Sequence, residues 1–166
     1  PKLAAVLDGY KLQLRRAQWQ LDPTDCRPEV VDLVADDLGL PVKGRDRHGS
    51  ARTRGVSWHE HLRLALTMLD FGHAGFEMQV QVIDGKARLV GLWERPQHTI
   101  SQIHVDPITG AFRGISQELD VGRWDEPEQP ADRLVWYAHN PEGSGWHGRS
   151  MLRPAYAPWL LKREMQ

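Results

Sequence analysis

Imidazole is the commonest metal ligand and titrates near neutrality, so the eight histidines of the chain are the first residues to test for chemistry. The closest approach to a metal pattern is His59-Glu60-His61. A helical zinc-protease site needs His at i and i+4 on one face. Residues two apart on a helix point about 200° from each other, so this pair cannot grip one ion together. His98, His104, His139 and His147 fall on or beside expected strands, but no spacing unites them, and hydrogen-bonded or surface roles are the simpler expectation. Gly148-Arg149-Ser150 lacks the second glycine of a nucleophile elbow, since Met151-Leu152 follows the serine. Cys26 is the single cysteine and has no CxxC partner. Neither G-x-x-x-x-G-K-[ST] nor G-x-G-x-x-G occurs. The expectation is no catalytic constellation, no metal and no cofactor; a His-dependent metal hydrolase is the rival reading.

Charge is more informative. Lys43, Arg45, Arg47, Arg52 and Arg54 stand against Asp46 alone in residues 43–54. Residues 118–132 carry Glu118, Asp120, Asp125, Glu126, Glu128 and Asp132 against Arg123. Two such loops could meet across a head-to-tail contact between copies. The basic one could also touch DNA phosphates, although it has no aromatic side chain on which to stack a base. The plainer reading is two solvated loops.

These residues must be positioned by regular elements. Leu3, Val6, Leu7, Tyr10 and Leu14 recur at helical spacing, which predicts an amphipathic helix over residues 3 to about 16. Pro28 suits the start of a second helix with Val30, Leu33, Val34 and Leu38 as its stripe, and Gly39 its stop. Ser57 and Glu60 have capping-box spacing before a third, whose buried stripe is Trp58, Leu62, Ala65, Leu66 and Leu69. After Gly72 the period falls to two. Phe76, Met78, Val80 and Val82 alternate with Glu77, Gln79 and Gln81 as in a half-buried strand, and Asp84-Gly85 is a two-residue hairpin turn. The return strand carries Ala87, Leu89 and Leu92. A second hairpin pairs about 100–105 with about 111–117 around Asp106-Pro107-Ile108-Thr109-Gly110. Leu134 to Ala138 is apolar on both faces, as a central strand would be. From about Ser150, the residues Leu152, Ala155, Tyr156, Trp159 and Leu160 trace a last helix, despite Pro154 and Pro158. Helices, then about five strands in antiparallel hairpins, then one helix argue for an α+β fold in a single domain.

The 166 residues suffice for one core, and 40% hydrophobic with 26% charged residues marks a globular chain. Most of the seven tryptophans are expected in that core. If Trp159 packs on the sheet, its replacement by alanine costs ~3–5 kcal/mol. A net charge of −1 does not suit a surface that grips nucleic acid throughout. No apolar run nears the ~20 residues of a membrane helix, and no charged leader precedes one. The expected setting is cytoplasm, or a particle assembled there. The chain starts with Pro1 at the edge of a helical pattern, and another pattern still runs at Gln166, so a fragment of a longer chain is expected.

Two stretches carry a resemblance. Phe71-Gly72-His73-Ala74-Gly75-Phe76-Glu77, followed by DGKARLVGLWERP, is similar to the early wing region of tailed-bacteriophage portal proteins. More distinctive is DRLVWYAHNPEGSGWHGRSMLRPAYAPWLLK, from Asp132 to Lys162. It resembles the strand of portal proteins, Mu-like and actinobacterial-phage ones included, that leads through a Gly-Arg-Ser-Leu-Leu-Arg-Pro-like element into a long helix. The opening YKLQLRRAQWQL fits as well.

The resemblance implies a subunit of the head-to-tail connector, a typically dodecameric ring at one capsid vertex of the virion. Double-stranded DNA is packaged and ejected through it, and the terminase motor, capsid and tail connector proteins dock on it. It implies no active site, no cofactor and no membrane. A complete portal subunit continues into stem and clip elements, so the last helix would lead toward a stem outside this sequence. Motif positions carried over are Gly148, Arg149, Ser150, Leu152, Arg153, Pro154 and Tyr156. Subunit or DNA contacts would involve Lys43, Arg45, Arg47, Arg52 and Arg54. In the motif, Ser150 suits an N-cap, Pro154 is tolerable near a first turn, and Arg149 and Arg153 would share one helical face or be ordinary surface arginines. A stand-alone prophage interaction domain is the remaining alternative.

Overall fold

The helical periods fold where they are expected, in a computed structural model that describes residues 2–45, 55–118 and 129–165. The first helix, α1, spans Lys2–Arg16 and α2 spans Pro28–Leu38, with proline in its first turn. Gly39 ends α2 by donating its N–H to the Ala35 carbonyl. Helix α3 covers Trp58–Ala65. The Glu60 N–H reaches Ser57 Oγ at 3.4 Å, but the Glu60 carboxylate takes Arg63 Nε at 2.9 Å, so the reciprocal half of the capping box is spent elsewhere. The third helical pattern does not run unbroken to Leu69. Thr67 Oγ1 donates to the Leu64 carbonyl at 2.7 Å, a local bond that competes with the helical ladder. A short α4, Met68–Phe71, follows and ends at Gly72.

Strands β1 (His73–Ile83), β2 (Lys86–Arg95) and β6 (Leu134–Ala138) form one sheet in the order β2-β1-β6. Asp84 and Gly85 both take positive φ, as the tight turn between β1 and β2 requires. Strands β3 (Ile100–Val105), β4 (Phe112–Gln117) and the two-residue β5 (Gln129–Pro130) form the second sheet in chain order. The architecture is α+β, with N-terminal helices, antiparallel hairpins and a C-terminal helix, α5, over Arg153–Glu164.

Three sequence expectations shift. Among the described residues strand β6 is at a sheet edge, pairing with β1 from His73↔Ala138 to Glu77↔Leu134; its double-sided apolarity reflects half-burial of both faces. Residues 118–132 are not loop throughout, because Gly114 sits at φ +145° and a Cβ there would lie 2.2 Å from the Gln129 carbonyl oxygen. A bare backbone at 114 lets β5 come in and pair. The apolar stripe of α1 is largely solvent-facing, with Leu3, Val6, Tyr10 and Leu14 exposed and Leu7 buried.

The chain divides into two compact units, Pro1–Arg63 with Met78–Trp93, and Leu64–Glu77 with Glu94–Gln166. In the first, Leu7, Val31, Val56 and Leu62 are buried. In the second, Ile103, Ile115 and Leu134 form a core against which Ile100, Val105, Phe112, Trp136 and Trp146 pack.

Candidate functional site

The motif after β6 is sewn into the second unit by backbone bonds. The His139 N–H donates to the Gly72 carbonyl at 2.8 Å, Arg149 N–H to the His139 carbonyl at 2.7 Å, and Met151 N–H to the Leu69 carbonyl at 2.9 Å. Gly148 makes this possible. It holds φ +61°, and a Cβ there would stand 2.1 Å from the Gly72 oxygen and 2.8 Å from the His139 oxygen, a conformation and an approach open only to glycine. Two imidazoles add clasps: His139 Nδ1 donates to the Arg149 carbonyl at 2.6 Å, and His73 Nδ1 to the His147 carbonyl at 3.0 Å. Burial pulls the His73 imidazole below its ordinary pKa, with the His147 bond opposing in part. A stack of rings backs the segment. His73 lies on Trp136 at 5.1 Å between centroids and Trp136 on Phe112 at 5.0 Å. The Trp136 indole donates to the Trp146 carbonyl, and that of Trp146 to the Gly110 carbonyl.

Ser150 works as a junction rather than as a helix cap. Its hydroxyl donates to the Asp70 carbonyl and accepts from Leu152 N–H at 3.0 Å. Helix α5 therefore begins at Arg153, with Pro154 in its first turn, and Arg149 lies before the helix instead of one turn behind Arg153 on it. Arg149 instead faces Glu142 at 3.4 Å in an exposed pair, which is worth little. Leu152 is half-buried, and Arg153 and Tyr156 are exposed. Tyr156 stacks on Trp159 at 6.0 Å and Arg163 sits 5.1 Å over the Trp159 ring. Trp159 is 52% exposed and does not pack as a core residue.

The arrangement offers no nucleophile beside a base. It braces one loop and the root of an exposed aromatic helix, as a docking element requires. A family model described as the portal protein of Mu bacteriophage matches residues 1–166. The chain belongs to that family. No curated protein matches it. The portal family is a structural family.

The other expected residues of this portal-family chain separate into two groups. Lys43 pairs with Asp22 at 3.0 Å, and Arg45 pairs with Asp32. Both cations of the basic stretch that are described thus have carboxylate partners in their own unit. Bonds from Thr24 and then Lys43 hold the Asp22 carboxyl at about 2. Arg47, Arg52 and Arg54 lie outside the described residues, as does the acidic stretch between Glu118 and Gln129. Beyond the His73–His147 pair, whose rings lie 6.1 Å apart, the other described histidines make separate contacts. His59 Nε2 contacts the Arg15 guanidinium at 3.1 Å, His61 is buried with its pKa lowered by desolvation, and His104 Nε2 meets Ser116 Oγ at 2.7 Å. Among the described residues no group of three or more His, Cys, Asp or Glu is placed to hold a metal ion, and no helix is long and apolar enough to cross a membrane.

Sequence reasoning missed Asp37. It is 3% exposed, and its carboxylate accepts Arg88 Nε at 2.6 Å and the Leu89 N–H at 2.8 Å. Its own carbonyl accepts the Val56 N–H at 2.7 Å. A signal was present: a carboxylate in the last turn of a helix faces the negative end of the dipole and needs a donor to hold it there.

Proposed function

We propose that this chain is the wing-region part of a portal subunit, whose copies close into a ring at one vertex of a phage head. Double-stranded DNA passes through that ring during packaging and ejection, and the terminase motor, capsid and tail connector proteins dock on it. The single observation that carries the reading is the family match over the whole sequence. The motif geometry supports it: Gly148, Ser150 and His139 spend their bonding on bracing, and α5 presents Tyr156 and Trp159 outward. Exposed aromatic and arginine side chains on a braced helix are the usual anchors of protein contacts. In this reading Gly148, Arg149, Ser150, Leu152, Arg153, Pro154 and Tyr156 frame that surface. Lys43, Arg45, Arg47, Arg52 and Arg54 are the proposed subunit or DNA contacts, since the exposed pairs of Lys43 with Asp22 and Arg45 with Asp32 are weak enough to yield to a phosphate. Deleting the gene from its phage or prophage tests the proposal. The expected result is heads without packaged DNA, rescued by the gene in trans; infectious particles in normal yield would refute it.

A further inference from the structure

A cleft of about 520 Å³ opens in the first unit, between the end of α1, the turn after α2 and the start of α3. Its size is that of a ligand site. Trp19 and Trp58 meet edge to face at 5.6 Å on its wall, together with Arg15, His59, Pro41 and Leu62.

The cleft is held open by its own chain. The Trp19 indole donates to the Leu14 carbonyl at 3.0 Å, which fixes the ring while leaving it 39% exposed. Leu21 N–H donates to the Pro41 carbonyl at 2.8 Å and Lys43 N–H to the Leu21 carbonyl at 2.9 Å, so the two connecting segments forming the wall are tied together. A preformed wall of this kind spares an incoming ligand the cost of ordering it.

Its polarity points to one class of occupant. Arg15 is the cation on the lining, and no carboxylate stands among the described lining residues. Among the described residues the guanidinium contacts the His59 imidazole nitrogen at 3.1 Å and acts through space on the Glu60 carboxylate, which Arg63 binds directly. Arg15 Nε and Trp58 Nε1 are both buried with no acceptor. The lining thus sets one guanidinium, with no lining carboxylate, beside two indole faces.

We propose that this cleft, a feature beyond the portal reading, binds a peptide segment of a partner protein in which a carboxylate stands next to an aromatic or proline side chain. The carboxylate would take the Arg15 guanidinium in a charge-assisted bond, and the ring would lie against Trp19 and Trp58. A peptide suits it better than a nucleic-acid strand, because successive phosphates need a track of cations and the lining offers one arginine.

The test uses the full chain, 15N-labelled, with indole N–H resonances assigned through Trp19→Phe and Trp58→Phe. The probes are the peptide acetyl-Gly-Trp-Asp-Pro-Gly-amide, its Asn counterpart, and a short single-stranded oligothymidine. The Asp peptide is expected to shift the Trp19 and Trp58 indoles and to bind about tenfold or more tightly than the Asn peptide. Arg15→Gln should erase that preference and Arg15→Lys keep part of it. If Arg15→Gln fails to fold, the Asp-against-Asn comparison on the unaltered chain still decides. Equal binding of the two peptides, shifts confined to other tryptophans, or tighter binding of the oligothymidine at these indoles would overturn the proposal. None of these outcomes depends on whether the chain forms a ring.

Discussion

Replacing Asp37 by alanine leaves the Leu89 N–H without its acceptor in the first unit and leaves the Arg88 guanidinium to the more distant Asp36 carboxylate, 3.7 Å away. Removing one member of a buried pair costs about 3–5 kcal/mol. The Arg88 side chain is 28% exposed, so water recovers part of that, while the amide left unsatisfied adds about 1–3 kcal/mol of its own. The expected net loss is about 3–6 kcal/mol, and about half as much for Asp37→Asn, which keeps one acceptor oxygen and the shape. Urea unfolding gives the global loss, and amide exchange at Leu89 and Val56 shows whether it is local. Exchange should speed at both, since the Val56 N–H bonds the backbone of the same residue. Asp37→Leu combined with Arg88→Met should recover the charge-pair part of the loss and not the amide part, because the Leu89 N–H still has no acceptor. A parent-like urea midpoint for Asp37→Ala, within about 0.5 kcal/mol, with unchanged Leu89 exchange would refute the reasoning.

Three further outcomes are expected. Gly148→Ala should cost more than about 2 kcal/mol and expose the His139 and Arg149 amides to exchange, since both φ and the 2.1 Å approach to the Gly72 oxygen forbid a Cβ; a parent-like melting curve would remove the bracing argument. Trp159→Ala, by contrast, should shift stability by about 1 kcal/mol or less, its ring being half exposed and set against Tyr156 and Arg163, and a large loss in a melting curve would place the ring in a core. His73 is held neutral by burial, so below about 6.5 the unfolded chain binds a proton that the folded chain resists. Its contribution is complete above that pH and is lost as pH falls through the lowered folded value, so urea midpoints should drop from about pH 7.5 to about pH 5.5, and drop less in His73→Phe.

The strongly patterned parts of the fold were legible. Pro28 and Gly39 bounded α2, and the Asp106 to Gly110 turn joined β3 to β4, with the Asp106 carboxylate accepting the Ile108 and Thr109 amides. Local bonds set all of these, and local bonds leave local sequence marks. What was hidden depends on contacts distant in sequence. Periodicity gave α1 a stripe but not its neighbour, so it could not tell that Leu7 would be buried while Tyr10 faced solvent. Ser150 looked like a helix cap because Ser often is one, yet its hydroxyl is drawn to Asp70, eighty positions earlier. A two-residue strand containing Pro130 has no pattern to read; only the glycine at 114 hinted at a close approach. The site motif was found through resemblance, while Asp37 required asking what holds a carboxylate at the wrong end of a helix.

On the proposed portal reading, copies of this chain dock to one another around a channel. Cryo-electron microscopy of the purified full-length subunit measures that directly. The account predicts closed rings with an axial opening wide enough for duplex DNA, each subunit carrying the β2-β1-β6 and β3-β4-β5 sheets. Particles that remain single subunits, or that stack into open filaments without a channel, would contradict it.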